Sequence, residues 1–529
     1  MNAHKSAERQ RVLDLSIDLL YLYAALNGSR HQNAFGFPRC SEDHMTSLTF
    51  YGGVNEIGGN KILLEDQDTR LFLDFGMSFS LANQYFDEFM QPRKCNGIID
   101  LLEFGLLPDL DGLYRCDYLE HCKLPTEGES SVAGVLLSHA HMDHCSYIHY
   151  LRDDIPLYCT QGAKDIMQAL DETGSTGTCE LISLKESFKT YVNKKGEESK
   201  LHGEKTMKPR PYDIVENRFT VGELDVEALP VSHSLEGATA YILHTSAGPV
   251  VYTGDFRFHG YKGDETQRFV ERAAEVEPVA MICEGTRVNS TQVDSEEHVK
   301  EVAKKRVEKT NGLVVVNFPV RDTDRMQSFF QVAQQTDRAL VINMKQAYLL
   351  ELFRESGIAT PRIDDDHLGV YIPRKTWGVY QDDRFSEKIQ REDYDYWERE
   401  FLDHANAVTA RDISENQDQY IFRCDFFELK ELIDVKPEVG SSYIRSVCEP
   451  FDLEMELDLK KVENWLAHFG LYPYTHIHAS GHLNYDEIRD VVQTVQPKAL
   501  IPVHTQHPEV FKNLHDNVIL PEKGVAVNI

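Results

Sequence analysis

No two of the ten cysteines form a CxxC pair, and the closest two are Cys116 and Cys122. That spacing excludes a zinc ribbon and a disulfide framework and leaves buried, reduced thiols. No run of about 20 apolar residues occurs, so no membrane-spanning helix is expected. The apolar run near residues 19–26 follows Asp14 and Asp18 rather than a basic start, and no small-residue cleavage site follows it. A signal peptide is therefore not expected, and a cytoplasmic location follows by default. Basic residues are in short supply, 55 Lys and Arg against 86 Asp and Glu, for a net charge of −31. Such a balance argues against nucleic-acid binding by overall charge. It leaves room for a local groove or bound cations to override a distant acidic surface. Internal repeats and long low-complexity tracts are also missing.

What is present is enough chain for about two to four folding units. Residues 1–44 lack strand alternation and read as an N-terminal extension, either poorly ordered or a short accessory helix. Met45 is an alternative start. From 45 to about 290 the pattern is strand-rich, with candidate strands at 47–51, 61–65, 71–74, 134–138, 156–159, 224–229, 240–244, 249–253 and 280–283. Val, Ile, Leu, Phe and Tyr fill them, and Gly, Asp and Ser bound them. Layered sheets flanked by helices are expected. From about 292 the rhythm becomes strand–helix alternation on a parallel sheet: helices at 293–309, 323–335 and 346–355, strands at 312–317 and 339–343. A less regular stretch, 360–440, holds one expected helix near 394–405. The last residues return to short elements at 475–479, 485–495, 499–502 and 509–514. Residues 185–210 carry eight Lys and Arg against four Glu. They read as a solvated insertion, with a nucleic-acid-facing loop as the alternative.

The strongest chemical signal is SHAHMDHC, 138–145, directly after the apolar run GVLL. His139, His141, Asp143 and His144 place four ligand-type side chains within six positions. Neutral imidazole nitrogen and charged carboxylate oxygen form the set that zinc accepts. If the strand persists, His139 and His141 point the same way, and a turn gives Asp143 and His144 a second direction.

HxHxDH after a strand resembles the signature of the metallo-β-lactamase superfamily. The resemblance implies an αββα sandwich and extends along the chain. LFLDF, 71–75, matches an early strand ending in Asp and implies that Asp74 orients a ligand. PVSHS, 230–234, implies that His233 is the third histidine of a first metal site. YTGDF, 252–256, implies that Asp255 bridges two metals. Alone, His233 or Asp255 carries little weight. HASGHLNYDE, 478–487, IPVHT, 501–505, and CEGT, 283–286, resemble late motifs of the β-CASP branch, the ribonuclease J-like group in particular. VVVNFPVRDTDR, 314–325, resembles the first βα turn of the inserted α/β β-CASP domain. The implied division is 45–290 and 475–529 for the metallo-β-lactamase domain and 291–474 for the insertion. Three positions depart from the pattern: Cys145, Gly285 and Leu483. The runs 441–446 and 448–452 suggest either a phosphate pocket or a plain strand and turn.

The resemblance implies two Zn2+, with Mn2+ admitted by the same ligands. The first would rest on His139, His141 and His233, the second on Asp143, His144 and His504, with Asp255 between them. Such a pair activates a shared water and clamps a phosphodiester. The implied catalytic group comprises Asp143 and Asp74 together with His482 as general acid, oriented by Glu284. The expected activity is that of a ribonuclease, exo- or endonucleolytic, on RNA, with DNA open. A small-molecule ester, lactone or phosphodiester hydrolase is the alternative on the same core, and a non-catalytic scaffold is a third reading. No membrane partner is expected, and homodimer pairing stays open.

Overall fold

The computed structural model describes residues 46–529 except Glu88, 94–96, Glu127, 175–179, 202–206 and 451–452. The expectation for residues 1–44 lies outside the described residues. Among the described residues no helix is long and apolar enough to cross a membrane.

Two mixed sheets face each other. The first has seven strands in the order Tyr212–Ile214, Leu157–Cys159, Gly134–Leu136, Thr69–Leu73, Lys61–Asp66, Ser47–Gly52 and Ala526–Asn528. The second has six: Arg218–Val221, Leu224–Pro230, Thr239–Thr245, Gly248–Tyr252, Ala280–Glu284 and Leu500–Val503. Strand alternation explains why they stack. In Thr69–Leu73, Leu71 and Leu73 enter the core between the sheets, while Phe72 enters the core on the outer face. Ile62 and Leu64 against Leu63 repeat the division, as do Ile282 against Met281 and Ile501 against Leu500. Successive side chains point to opposite faces, so a strand apolar on both faces must be covered twice. Each such Leu, Ile or Phe contributes about 1.5–3 kcal/mol by leaving water. Helices Gly263–Glu275 and Tyr485–Val495 supply the outer cover of the second sheet.

A third sheet has seven strands, all parallel, ordered Ala407–Val408, Leu368–Tyr371, Ala339–Asn343, Tyr420–Arg423, Val314–Asn317, Ser442–Arg445 and Thr475–His476. Helices Thr323–Gln335 and Met344–Glu355 cross over between its strands. One apolar core runs from the first sheet through helix Gln161–Thr173 to these helices.

The strands expected between 47 and 283 all form, and helix 485–495 forms as read. The helix expected near 394–405 does not. A single 3-10 turn, Tyr396–Glu398, replaces it. Glu398 bends back to accept from Asp395 N at 2.9 Å and pairs with Lys375, while Phe401 and Leu402 are buried. The capping box closes the turn on itself, and only separate turns follow, Phe401 N to Glu398 O and His404 N to Phe401 O, without a continuous helix. The strand carrying GVLL also stops early, at Leu136. Asp74 Oδ1 accepts from Ser138 N at 2.6 Å, and a side chain thus takes the place of a ladder partner. Within 185–210, the described residues form short exposed ladders, Thr190–Val192 with Glu198–Lys200 among them, as a solvated insertion would.

Candidate metal centre

Adjacent strands end at one edge of the sandwich. Asp74 follows Thr69–Leu73, and His139 follows Gly134–Leu136. His233 follows Leu224–Pro230, Asp255 follows Gly248–Tyr252, Glu284 ends Ala280–Glu284, and His504 follows Leu500–Val503. Rigid backbone from both sheets thus delivers side chains into one cleft.

The geometry brings together every residue singled out from the sequence. His139 Nε2 and His141 Nδ1 lie 2.9 Å apart, and His233 Nε2 is 3.2 Å from the same Nδ1. His504 Nε2 is 3.2 Å from Asp143 Oδ2, and His144 Nε2 is 3.7 Å from it. Asp255 Oδ2 stands between the two groups, 3.7 Å from His139 and 4.0 Å from His233, 3.3 Å from His144 and 3.6 Å from His504. His139 and His141 converge although the strand has ended: His141 caps helix Met142–Cys145, which then presents Asp143 and His144. Glu284 Oε1 accepts from His482 Nδ1 at 3.1 Å, and that nitrogen lies 3.8 Å from Asp255.

The residues fit a cation. His144 Nε2 and Asp255 Oδ1 are buried polar atoms without a hydrogen-bond partner. Three sets, His139/His141/His233/Asp255, Asp143/His144/His504 and Asp255/Glu284/His482, each bring their donor atoms within 4.8 Å of one another. His139, His144, His233, Asp255, Glu284 and His504 are buried, whereas His141, Asp143 and His482 are partly exposed and mark the open side. Burial pushes His141 down to about 3 and holds His139 and His233 well below the ordinary imidazole range. These rings are neutral and ready to ligate. Burial opposes charge on His504 as well, but Asp255 and Asp143 raise it to about 9, and three carboxylates, Asp255 first, outweigh burial at His144. A cation entering this side displaces their protons.

Several supporting residues escaped the sequence reading. Asp74 accepts at Oδ2 from Ser138 Oγ at 2.7 Å and Tyr252 OH at 2.5 Å, and its Oδ2 lies 2.7 Å from His144 Nδ1. Asn60 Nδ2 donates to Tyr252 OH at 3.0 Å, and Thr286 Oγ1 lies 2.8 Å from His504 Nδ1. Tyr252 and Thr286 stand inside the motifs YTGDF and CEGT, but an outward hydroxyl and an inward one look alike in sequence. Asp74 and His504 both adopt left-handed backbone, φ 56° and 53°. That conformation is uncommon for residues with a side chain and clusters at functional sites. Two glycines let backbone approach the ligand turn: a Cβ on Gly76 would lie 1.8 Å from Asp143 O, and one on Gly58 2.4 Å from Asp143 Oδ2.

The departures have packing reasons. A Cβ on Gly285 would meet the Phe511 ring at 2.5 Å, while Cys145 and Leu483 are fully buried in apolar cores. The 441–446 run is strand Ser442–Arg445 followed by Ser446, which accepts from Arg325 Nη1 at 2.7 Å. Arg445 donates to Val447 O and Cys448 O, so these side chains are already engaged; residues 451–452 lie outside the described residues.

Tyr252→Phe is expected to weaken metal binding about 10–100-fold, as loss of a group behind a ligand does. Titration of the purified protein against a chromophoric chelator checks this, and unchanged affinity would remove Tyr252 from the support of Asp74.

Known proteins resemble the chain in sequence over most of its length. The chain is 24% identical over 494 residues to ribonuclease J of Helicobacter pylori (strain J99), covering 90% of this chain and 58% of that protein. The chain is thus similar in sequence to a ribonuclease J. It is also 24% identical over 397 residues to ribonuclease J of Sinorhizobium meliloti, covering 72% of this chain and 58% of that protein. Over 262 residues it is 25% identical to the transcription termination factor FttA of Methanocaldococcus jannaschii, 48% of this chain and 32% of that protein. The chain spans less than two thirds of the length of these relatives. No family model matches it. A crystal structure of a protein of unknown function from Enterococcus faecalis V583 shares the fold, with a TM-score of 0.67 and 23% identity over 92% of this chain and all of that one.

Proposed function

We propose that the chain is a metal-dependent phosphodiester hydrolase, a ribonuclease. Its αββα metallo-β-lactamase sandwich would comprise residues 45–290 and 475–529, with 291–474 as an inserted β-CASP domain. The observation that carries the reading is the place of Asp255, whose Oδ2 reaches imidazole nitrogens of both histidine groups within 4.0 Å. His139, His141 and His233 would hold one ion and Asp143, His144 and His504 a second, zinc by donor type, with manganese accepted by the same set. Bound there, the pair supplies a water of lowered pKa and positive charge against the phosphate oxygens.

The chain's own residues do the rest. Asp74, against His144 Nδ1, fixes that ring so that Nε2 faces the cleft. Glu284 fixes His482 the same way, taking Nδ1 and leaving Nε2 to hand a proton to the leaving oxygen. Arg321 lies against Ala140 O at 3.4 Å, and its charge helps to depress His141. It adds a fixed cation beside the site, which favours an anionic substrate despite the acidic chain. Kinship with two ribonucleases J supports RNA as that substrate.

Purified protein is expected to cleave end-labelled single-stranded RNA, to stop on addition of a chelator, and to resume with zinc or manganese. Cleavage of DNA in preference would redirect the substrate. No chelator-sensitive cleavage of either polymer would defeat the nuclease reading.

A further inference from the structure

The segment that carries His482 has no regular structure between Ile477 and Leu483. Backbone carbonyls outside a helix or ladder need other partners. Here side chains from elsewhere supply them. Ile477 O accepts from Ser446 Oγ at 2.7 Å and Ala479 O from Arg325 Nη2 at 3.0 Å. Ser480 O accepts from Arg257 Nη1 at 2.8 Å and from His259 Nε2 at 2.9 Å. Gly481 O accepts from His233 Nδ1 at 2.6 Å.

The two arginines are fully buried and share one carboxylate. Glu296 Oε1 accepts from Arg257 at 3.2 Å and from Arg325 at 3.0 Å, and Oε2 accepts from Arg325 Nε at 3.0 Å. Buried ion clusters are costly to desolvate and weak as stability devices; their attested use is to select one arrangement. A single acid gripping both guanidinium groups fixes the spacing of the two carbonyls they hold.

His233 is where this frame meets the metal centre. Its Nε2 faces His141 and Asp255, while its Nδ1 is bound by the loop, one residue from His482. Gly481 is pressed against the ring: a Cβ there would lie 2.6 Å from His233 Cε1 and 3.0 Å from Nδ1.

We propose, resting on the metal-dependent reading above, that Arg257 and Arg325 are positioning residues that couple metal binding to the placement of His482. They hold residues 479–480, and so aim Gly481 O at His233 and set the stem of His482. Coupling between two sites is reciprocal. Zinc affinity therefore depends on the loop, and loop order depends on zinc.

The zinc and exchange arms of the test use the full chain with no nucleic acid, so they are independent of the nuclease reading; only the turnover arm rests on it. Two variants are needed. Arg325→Lys keeps a charge beside Glu296 but lacks the fork that reaches Ala479 O and Ser446 together. Gly481→Ala disturbs no ionic group. Both are expected to bind zinc at least about tenfold more weakly in chelator competition, with metal-free melting temperatures close to that of the unmodified chain. In the unmodified chain, zinc is expected to slow amide exchange across 477–482. In Arg325→Lys, kcat is expected to fall with KM little changed. Wild-type zinc affinity in both variants, or exchange at 477–482 indifferent to zinc, would overturn the proposal. If Arg325→Lys does not fold, Arg257→Lys, which disturbs the bond to Ser480 O, takes its place, and the zinc dependence of exchange at 477–482 in the unmodified chain still decides. Coupling without any cleavage of RNA or DNA would uphold this proposal while removing the nuclease reading.

Discussion

Asp255→Ala is expected to strip the centre of metal and, with it, of turnover. Its Oδ2 lies within 4.0 Å of nitrogens from His139, His144, His233 and His504. Four rings crowd around a single negative charge, and two of them, His144 and His504, are held protonated mainly by Asp255. Removing the carboxylate lets those rings lose their protons and takes away the acidic side chain that lies between the two sets. Loss of metal-derived stabilisation of about 4 kcal/mol corresponds to about 10³ in rate. Elemental analysis of the purified variant should show metal well below that of the unmodified chain. Asp255→Asn separates charge from shape: the amide keeps the volume and one acceptor, and is expected to lose metal nearly as badly. Full metal content in Asp255→Ala would sink the bridging role.

His482→Ala is expected to behave in the opposite way, keeping its metal and losing about 10²–10⁴ in turnover, the range for a general acid. His482 lies outside both histidine sets; its Nδ1 meets Glu284 at 3.1 Å and Asp255 at 3.8 Å, and its ring lies beside those of His233 and His504. Its side chain is also partly open to solvent, as a group that touches substrate must be. Glu284→Gln should give a smaller loss, since an amide can still orient the ring through Nδ1. The decisive comparison is metal content: if His482→Ala loses metal to the same degree as Asp255→Ala, then His482 is a ligand and the leaving oxygen must be served otherwise. Unchanged turnover in His482→Ala would also defeat the assignment.

How much of this was legible in the sequence depended on the kind of signal. Ligand-type residues at strand ends were readable, because a polar residue after an apolar run is conspicuous: His139, His233, Asp255 and His504 all stand so. The strands of the sandwich were readable for the same reason, being apolar on both faces. Strands Leu368–Tyr371, Ala407–Val408 and Tyr420–Arg423 were not, since four residues or fewer between polar turns carry too little pattern. The 394–405 stretch misled because its aromatics recur at helical spacing, while the burial of Phe401 and the reach of Glu398 back to Asp395 N are tertiary facts. The supporting groups were the least legible. Nothing local to Arg257 or Arg325 says that both meet a loop more than 150 residues later, or to Glu296 that it holds both, and Asn60 precedes its partner Tyr252 by 192 positions.

The strand Leu500–Val503 borders Ala280–Glu284 at the margin of the second sheet and delivers His504 to the centre. Asp143 and His144, its companions in the second set, are synthesised some 360 residues earlier. A chain still emerging from the ribosome therefore carries an unfinished centre throughout the making of the third sheet. Until residue 504 has appeared and docked, the second set has two members and Asp255 faces one imidazole fewer. The order of the motifs along the polypeptide thus makes the second set the last part of the centre to be completed.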